Sequence, residues 1–220
     1  MKKDYTHITV ILDRSGSMES IRDDTIGGFN AFLKIQQAEK GTATLTLVQF
    51  DTQDPYELIH RFRPIGDVPE LTRETFVPRA TTPLLDAIGR GINDLEMSLG
   101  EIKKAALPSK VVFVVVTDGR ENASREFRKD QIEKMIRERT EKSDWQFVFL
   151  SADLDAIGDA MAFGIHADAV LPFEKSGKGS QRAWESLSVR TSEYRTDRKE
   201  KMGFEPDDRK HPEDPGKKKK

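Results

Sequence analysis

The sequence predicts an α/β fold with a doubly wound, mostly parallel central sheet and helices on both faces. Short β-branched and aromatic runs alternate with longer helical patterns along the chain. Two of the runs, ITVIL (8–12) and VVFVVV (111–116), lack the polar alternation of half-exposed strands, which is typical of parallel strands covered on both sides. The length of 220 residues is sufficient for one such domain.

Six apolar runs bounded by turn residues predict the strands. Five are candidates for the parallel sheet: HITVIL (7–12), ATLTLVQF (43–50), KVVFVVV (110–116), WQFVFL (145–150) and ADAVLP (167–172). The sixth, ELIHRF (57–62), alternates apolar and polar residues more clearly. We therefore expect it at an edge of the sheet, where one side of the strand meets water.

Apolar stripes with helical spacing lie between the predicted strands. Three stripes predict amphipathic helices: Ile26, Phe29, Phe32 and Leu33; Leu84, Ile88, Ile92, Leu95 and Leu99; Phe127, Ile132, Met135 and Ile136. Weaker patterns at 153–163 and 180–195 predict two more helices. Strands that alternate with helices favour βαβ units, in which successive strands run parallel.

The last part of the chain differs in composition from the rest. Most residues from Arg195 onward are charged, three are proline, and the sequence closes on PGKKKK. Such a segment offers too little apolar surface to offset the entropy of ordering. The sequence therefore predicts a folded domain over residues 1–195 and a charged, disordered tail over residues 196–220.

Bulk composition narrows the classes of function. The chain has no cysteine, which excludes disulfide frameworks, thiolate catalysis and cysteine-rich zinc sites. A formal net charge of −2 gives no global basic field for nucleic acid, and no apolar run is long enough to span a bilayer. No signal peptide is recognised. These features favour a cytoplasmic protein without a nucleic-acid or membrane partner.

A polar pattern with a period of two follows the first predicted strand: Asp13-Arg14-Ser15-Gly16-Ser17. Alternate side chains of this turn, Asp13, Ser15 and Ser17, can face one point above the carboxyl end of the strand. Converging hard oxygens suit Mg²⁺, which takes about six oxygen ligands. Aspartate and serine after a strand are also ordinary helix-capping residues, so the pattern alone leaves both interpretations open.

Two further polar residues are predicted at the same end of the sheet. Asp118, in Thr117–Gly119, follows a central buried strand, and ligands of doubly wound sheets bind outside the carboxyl ends of such strands. Thr82 precedes Pro83, which is predicted as the first helical residue, so Thr82 is expected to cap that helix. Each residue alone indicates a turn or a cap. Together with the first pattern, both become candidate metal ligands.

The three segments DRSGSM, TTPLLDAI and VVTDGRE resemble the metal-ion-dependent adhesion site, DxSxS…T…D, of the von Willebrand factor A domain family. The resemblance extends over about residues 5–175. It implies a Rossmann-like doubly wound sheet with one antiparallel edge strand, a place that ELIHRF fits, and Mg²⁺ or Mn²⁺ as the cofactor. The ligands that it implies, directly or through water, are Asp13, Ser15, Ser17, Thr82 and Asp118.

This chain departs from the family pattern at one place. Many members have a glycine before the threonine, whereas this chain has Ala80-Thr81-Thr82. The position of Pro83 favours Thr82 over Thr81 as the ligand.

This ligand set suggests how the site would work. Two carboxylates and three neutral hydroxyls leave a divalent ion under-neutralised, so the ion would seek one more anionic oxygen. The resemblance implies that a glutamate or aspartate of a partner protein supplies that oxygen. We therefore expect a non-enzymatic, metal-dependent protein-binding module that serves as an accessory subunit of a larger complex. The sequence gives no indication of oligomeric state.

Enzymatic alternatives fit the motifs less well. A phosphatase of the haloacid-dehalogenase type would use Asp13 as nucleophile, but Ser15 occupies the place of its acid/base aspartate. A serine hydrolase would need a G-x-S-x-G elbow, which the chain lacks. Residues 175–180, KSGKGS, have Gly179 where a phosphate loop needs serine or threonine, and are interpreted as a turn before a helix.

Three polar residues lie near the motifs, and for two of them, Asp51 and Arg14, the sequence leaves two interpretations open. Asp51 closes the second strand and is either an acceptor for a metal-bound water or, more commonly, a solvated turn residue. Asp86 lies in the first turn of its helix, where a carboxylate favours the helix dipole. Arg14 is either a contact for the partner or simply exposed.

Overall fold

The central sheet has six strands within residues 2–209, the part of the chain that the computed structural model describes. They are β1 (Lys2–Asp13), β2 (Thr42–Phe50), β3 (Glu57–Pro64), β4 (Pro108–Thr117), β5 (Gln146–Ser151) and β6 (Val170–Pro172). Their order across the sheet is β3-β2-β1-β4-β5-β6. All neighbouring pairs are parallel except β2 and β3. The predicted mostly parallel sheet with one antiparallel edge strand is confirmed.

The two central strands are buried on both faces, which explains their continuous apolar sequences. Val10 of β1 lies opposite Val114 of β4, and both side chains are fully buried on one face of the sheet. The next residues along, Ile11 and Val115, are equally buried on the other face. Because successive side chains of a strand point to opposite faces, a strand covered on both sides needs apolar residues at every position.

Helices cover both faces, as predicted. They are α1 (Arg22–Ala38), α2 (Leu84–Glu101), α3 (Lys129–Ser143), α4 (Leu154–Ala162) and α5 (Gly177–Arg195). Helices α1 and α5 bury Phe29 and Trp184 against one face, and α2 and α3 bury Ile88 and Ile132 against the other. None of the helices within residues 2–209 is both long and apolar enough to cross a membrane.

Phe127 lies outside α3, although it was counted in the apolar stripe that predicted this helix. Its ring instead packs on Gly89 of α2, where an added Cβ atom would come within 2.5 Å of the ring. Glycine at this position allows the segment before α3 to approach α2 closely.

Residues 196–209 are packed against the domain, so the prediction of disorder is wrong for this segment. Met202 and Phe204 are only 4% and 6% exposed. The Met202 amide donates a hydrogen bond to Gln146 Oε1 at 3.1 Å, and Arg190 Nε donates one to Asp208 Oδ2 at 2.8 Å. Two apolar side chains supply anchoring surface that the average composition concealed. The rest of the predicted tail, 210–220, lies outside the described residues.

Candidate metal centre

The two central strands end side by side at a crevice in the sheet. The chain leaves β1 through α1 towards β2 on one side, and leaves β4 through α3 towards β5 on the other. Connections that diverge in this way create the crevice where doubly wound folds bind ligands. Asp13 is the last residue of β1, and Asp118 directly follows β4. The topology therefore brings both predicted carboxylates to this crevice.

Asp13 is fully buried at the floor of the crevice. Its Oδ1 accepts a hydrogen bond from the Ser15 amide at 2.6 Å, and its Oδ2 accepts one from Thr117 Oγ1 at 2.6 Å. Burial raises the pKa of Asp13 to about 7, against the effect of these hydrogen bonds, and the negative charge of Asp118 raises it further. Asp13 forms no salt bridge with an arginine or lysine of the described residues. The site thus holds a buried carboxylate that lacks a counter-ion.

The predicted hydroxyl groups lie between the two carboxylates. Ser15 Oγ and Ser17 Oγ are 3.0 Å apart, and Ser17 Oγ donates a hydrogen bond of 2.5 Å to Asp118 Oδ1. Thr82 approaches from a third segment: a Cβ atom added to Gly119 would lie 3.4 Å from Ser17 Oγ and 3.7 Å from Thr82 Oγ1. The structure therefore brings together the five side chains that the sequence singled out.

Thr82 does not cap α2, so this part of the prediction is wrong. The helix begins at Leu84, and Pro83 occupies the capping position with ψ at 64°, which is not helical. The backbone of Thr82 is instead held by Asn122. The side-chain Oδ1 of Asn122 accepts a hydrogen bond from the Thr82 backbone amide at 3.0 Å, and the backbone amide of Asn122 donates one to the Thr82 carbonyl at 3.2 Å. Thr81 points elsewhere, since its Oγ1 donates to Thr52 Oγ1 at 3.1 Å. The geometry thus favours Thr82 as the third hydroxyl.

The loop after β4 supplies the hydrogen bonds that α2 needs at its amino end. Glu121 Oε2 accepts from the Leu85 amide at 2.9 Å, and Ser124 Oγ accepts from the Asp86 amide at 3.1 Å. In return, the carboxylate of Asp86 accepts from the three amides of residues 125–127 at 2.8–3.0 Å. Asp86 therefore holds the loop after β4, a role that the sequence did not indicate. This loop carries Asp118 and Asn122.

A buried cluster of charged groups lies beside the site, and the sequence did not predict it. Asp51 is 0% exposed rather than solvated, and Arg14 is 5% exposed. Asp51 Oδ2 accepts hydrogen bonds from Arg14 Nε at 2.6 Å and from Arg79 Nε at 2.9 Å, and Arg14 also pairs with Glu57. Burial acts to raise the pKa of Asp51, but the hydrogen bonds from Arg79, Arg14 and two backbone amides outweigh it and lower that pKa.

This cluster joins the two loops that carry the hydroxyl groups. The Arg79 amide donates to the Arg14 carbonyl at 2.8 Å, and the Gly16 amide donates to the Ala80 carbonyl at 3.0 Å. Ala80 has a φ of 57°, the left-handed region that costs a residue with a Cβ atom about 1–2 kcal/mol. The contacts around Arg14, Asp51 and Arg79 are therefore what holds the loop of Thr82 against the loop of Ser15.

The chemistry of this donor set fits a hard divalent cation. All candidate ligands are oxygens: two carboxylates and three hydroxyls. Asp118 Oδ2 is buried and accepts no hydrogen bond within the described residues, although the ammonium group of Lys175 is 2.7 Å away. No group of three or more histidine, aspartate or glutamate side chains in residues 2–209 could hold a metal ion. An ion at this crevice would therefore depend on the serine and threonine hydroxyls, as Mg²⁺ and Mn²⁺ sites rich in oxygen allow.

No protein-family model matches the sequence, and no curated protein matches it either. Solved structures do resemble the fold. Proximal thread matrix protein 1 from the mussel byssus, solved with a zinc-occupied metal-ion-dependent adhesion motif, is 14% identical, with a TM-score of 0.57 over 86% of this chain and 46% of that chain. A von Willebrand factor type A protein from Catenulispora acidiphila is 10% identical, with a TM-score of 0.55 over 86% of this chain and 43% of that one.

A third similar structure is the manganese-loaded TRAP protein of Plasmodium vivax, which is 10% identical, with a TM-score of 0.54 over 86% of this chain and 75% of that chain. The chain thus spans less than half the length of the mussel and Catenulispora proteins. At these identities the likeness concerns the fold. The architecture is that of a von Willebrand factor A domain, as the motifs implied.

Proposed function

We propose that this chain is a protein-binding module that depends on a divalent metal ion, Mg²⁺ or Mn²⁺. The residues that would hold the ion are Asp13, Ser15, Ser17, Thr82 and Asp118. The observation that carries this proposal is the convergence of two buried carboxylates and three hydroxyls at the crevice between β1 and β4. Further support comes from proteins of the same fold that were solved with zinc or manganese.

The charge of the donor set specifies the chemistry of the partner. Two carboxylates balance the charge of a divalent ion only when both bind it directly, and the hydroxyls add none. An additional anionic oxygen is therefore favoured at the open side of the ion, and a glutamate or aspartate side chain of another protein supplies it. The ion provides the attraction for that carboxylate, while Asp13, Asp118 and the hydroxyls position the ion.

A phosphatase is the alternative, and the surroundings of Asp13 disfavour it. A nucleophilic aspartate needs an acid/base group beside it. The groups that hold Asp13 are the Ser15 amide and the Thr117 hydroxyl, and neither can do that work. Ser15, two residues on, lacks the acidity of a general acid. These features support a binding role without catalysis.

The cellular role remains part of the proposal. We propose that the chain acts as an accessory subunit of a larger complex, in which a partner protein offers the acidic side chain to the metal ion. The cytoplasmic location predicted from the lack of cysteine is likewise a proposal, and fractionation of the native cells tests it.

Affinity capture from the native cells tests the proposed function. Proteins captured in Mg²⁺ by the wild-type chain should be lost in EDTA and lost again with Asp118→Ala. Asp130→Ala, which removes an exposed aspartate at the start of α3, serves as the matched control and should retain them. Identical sets of captured proteins in all four samples would contradict a metal-dependent interaction.

A direct assay addresses the enzymatic alternative. The purified chain with Mg²⁺ should not hydrolyse p-nitrophenyl phosphate above the background rate. Hydrolysis that disappears in Asp13→Asn would establish the phosphatase and overturn the binding proposal.

A further inference from the structure

One lysine of this chain lies at the candidate metal centre. The Nζ atom of Lys175 is 2.7 Å from Asp118 Oδ2. Lys175 belongs to the loop between β6 and α5, and its side chain is 39% exposed, whereas that of Asp118 is 0% exposed. The lysine therefore reaches from the surface of the loop to a carboxylate that water does not reach.

The two oxygens of Asp118 are in different environments. Oδ1 accepts the hydrogen bond from Ser17 Oγ at 2.5 Å. Oδ2 accepts no hydrogen bond within the described residues, and its close charged neighbour is the ammonium group of Lys175. The lysine thus contacts the oxygen of this carboxylate that accepts no hydrogen bond, the oxygen that a metal ion would bind.

The backbone around Lys175 is held by hydrogen bonds that do not involve its side chain. Ser176 caps α5, since its Oγ accepts from the Gly179 amide at 3.1 Å, and its own amide donates to the Glu174 carbonyl at 2.7 Å. The Phe173 amide donates to the Ser151 carbonyl of β5 at 2.9 Å. The four-carbon stem of a lysine is flexible and its ammonium group is strongly hydrated. Lys175 can therefore leave Asp118 by rotating its side chain, without any change in the helix.

We propose that Lys175 is an internal counter-ion that competes with the divalent metal ion for Asp118. This inference rests on the proposed function, because it concerns the same site. A metal ion that binds Asp118 Oδ2 would lie within a few ångströms of the ammonium group, and two cations at that distance repel each other. Metal binding therefore displaces Lys175, and the site alternates between a lysine-paired state and a metal-loaded state.

The displaced lysine would also favour an acidic partner. Once released, its ammonium group lies at the rim of the crevice, on the side of the loop before α5. There it can pair with a second carboxylate of the partner, next to the one that binds the ion.

Titration of the purified protein with Mn²⁺ tests the competition. Calorimetry measures the binding, and no partner is present. Lys175→Met removes the ammonium group and should tighten Mn²⁺ binding about tenfold, the factor that corresponds to about 1.4 kcal/mol. In EDTA the same variant should melt at a lower temperature than the wild type, because Asp118 loses its counter-ion. The increase in melting temperature on adding Mn²⁺ should accordingly be larger in the variant.

Two control variants separate the contact from a general effect of charge. Lys178→Met changes the net charge equally, three residues away, at an exposed lysine that forms no ion pair within the described residues. It should leave Mn²⁺ affinity within about twofold, since exposed charges are screened. Lys175→Arg keeps a cation and should bind Mn²⁺ like the wild type or more weakly.

The possible outcomes distinguish this inference from the proposed function. Equal Mn²⁺ affinities of the wild type and Lys175→Met would overturn the competition, and so would equal gains in Lys175→Met and Lys178→Met. In both cases the proposed metal site would stand, because Mn²⁺ still binds. Absence of Mn²⁺ binding in the folded wild type and in Lys175→Met would overturn the proposed function, and the competition with it.

Discussion

Replacing Arg14 with methionine tests whether the buried charged cluster supports the metal centre. The change removes the hydrogen bond of 2.6 Å to Asp51 Oδ2 and the pairing with Glu57, and it leaves all five candidate ligands in place. Asp51 keeps three of its contacts: Arg79 Nε at 2.9 Å and the amides of Gln53 at 2.6 Å and Asp54 at 3.1 Å.

The expected loss of stability follows from these contacts. Removing one partner of a buried ion pair costs about 3–5 kcal/mol when the other charge is left uncompensated. Because Asp51 retains Arg79 and two amides, and methionine fills most of the space of the arginine stem, we expect a smaller loss of about 2–3 kcal/mol. A chain of this size loses about 2–4 °C of melting temperature per kcal/mol, so the melting temperature should fall by about 4–12 °C.

The metal centre should weaken as well. Arg14 and Arg79 hold the loops of Ser15 and Thr82 together, and loss of such supporting contacts lowers metal affinity by about 10–100-fold. Urea unfolding in EDTA measures the first effect, and calorimetric Mn²⁺ titration measures the second. A double variant, Arg14→Met with Asp51→Asn, leaves no uncompensated carboxylate and should recover part of the stability. A loss below about 0.5 kcal/mol, typical of an ordinary surface substitution, would refute this reasoning.

Three further predictions address the hydroxyl ligand, the buried histidine and the packed end of the chain. Thr82→Ala should lower Mn²⁺ affinity at least about tenfold in calorimetry. Thr81→Ala loses only a side-chain hydrogen bond to Thr52 and should leave the affinity unchanged. Equal effects would contradict the assignment of Thr82 as the third hydroxyl ligand. Burial lowers the pKa of His7 to about 3 from the ordinary 6.5, so its contribution to stability is complete above pH 6.5 and is lost as the pH falls towards 3. Between pH 7 and pH 5 the free energy of unfolding should fall by about 2 kcal/mol more in the wild type than in His7→Gln, and parallel urea-denaturation profiles would disprove it. Phe204→Ala should cost about 3 kcal/mol in urea unfolding, and a loss under about 1 kcal/mol would mean that residues 196–209 do not stabilise the domain.

The features that were predicted correctly depend on residues close together in the sequence. The absence of polar alternation in β1 and β4 indicated burial on both faces, because that pattern is a property of each strand by itself. The convergence of Asp13, Ser15 and Ser17, whose role as metal ligands stays a prediction, likewise follows from one turn after one strand. Predicting the position of Asp118 required only the further rule that parallel strands have their carboxyl ends at the same edge of a sheet.

The features that were missed depend on contacts between distant segments. The start of α2 was misplaced because Glu121 and Ser124, 36 and 38 residues away, satisfy its first amides, so a capping threonine was unnecessary. Of the two interpretations of Asp51, the sequence favours a solvated turn residue, because its buried partner Arg14 lies 37 residues earlier. The packing of Met202 and Phe204 was concealed by their charged neighbours.

The assembly of the candidate metal centre from three distant segments has a consequence for the synthesis of the chain. Ser17 and Asp118 are 101 residues apart, and ribosomes add about 5–20 residues per second. The DRSGSM segment therefore waits about 5–20 s for Asp118 to be made. A nascent or truncated chain that ends before β4 contains most of the oxygen donors but cannot arrange them around an ion. Under the proposed function, only a chain with a completed sheet would recruit the partner, and fragments would not compete for it.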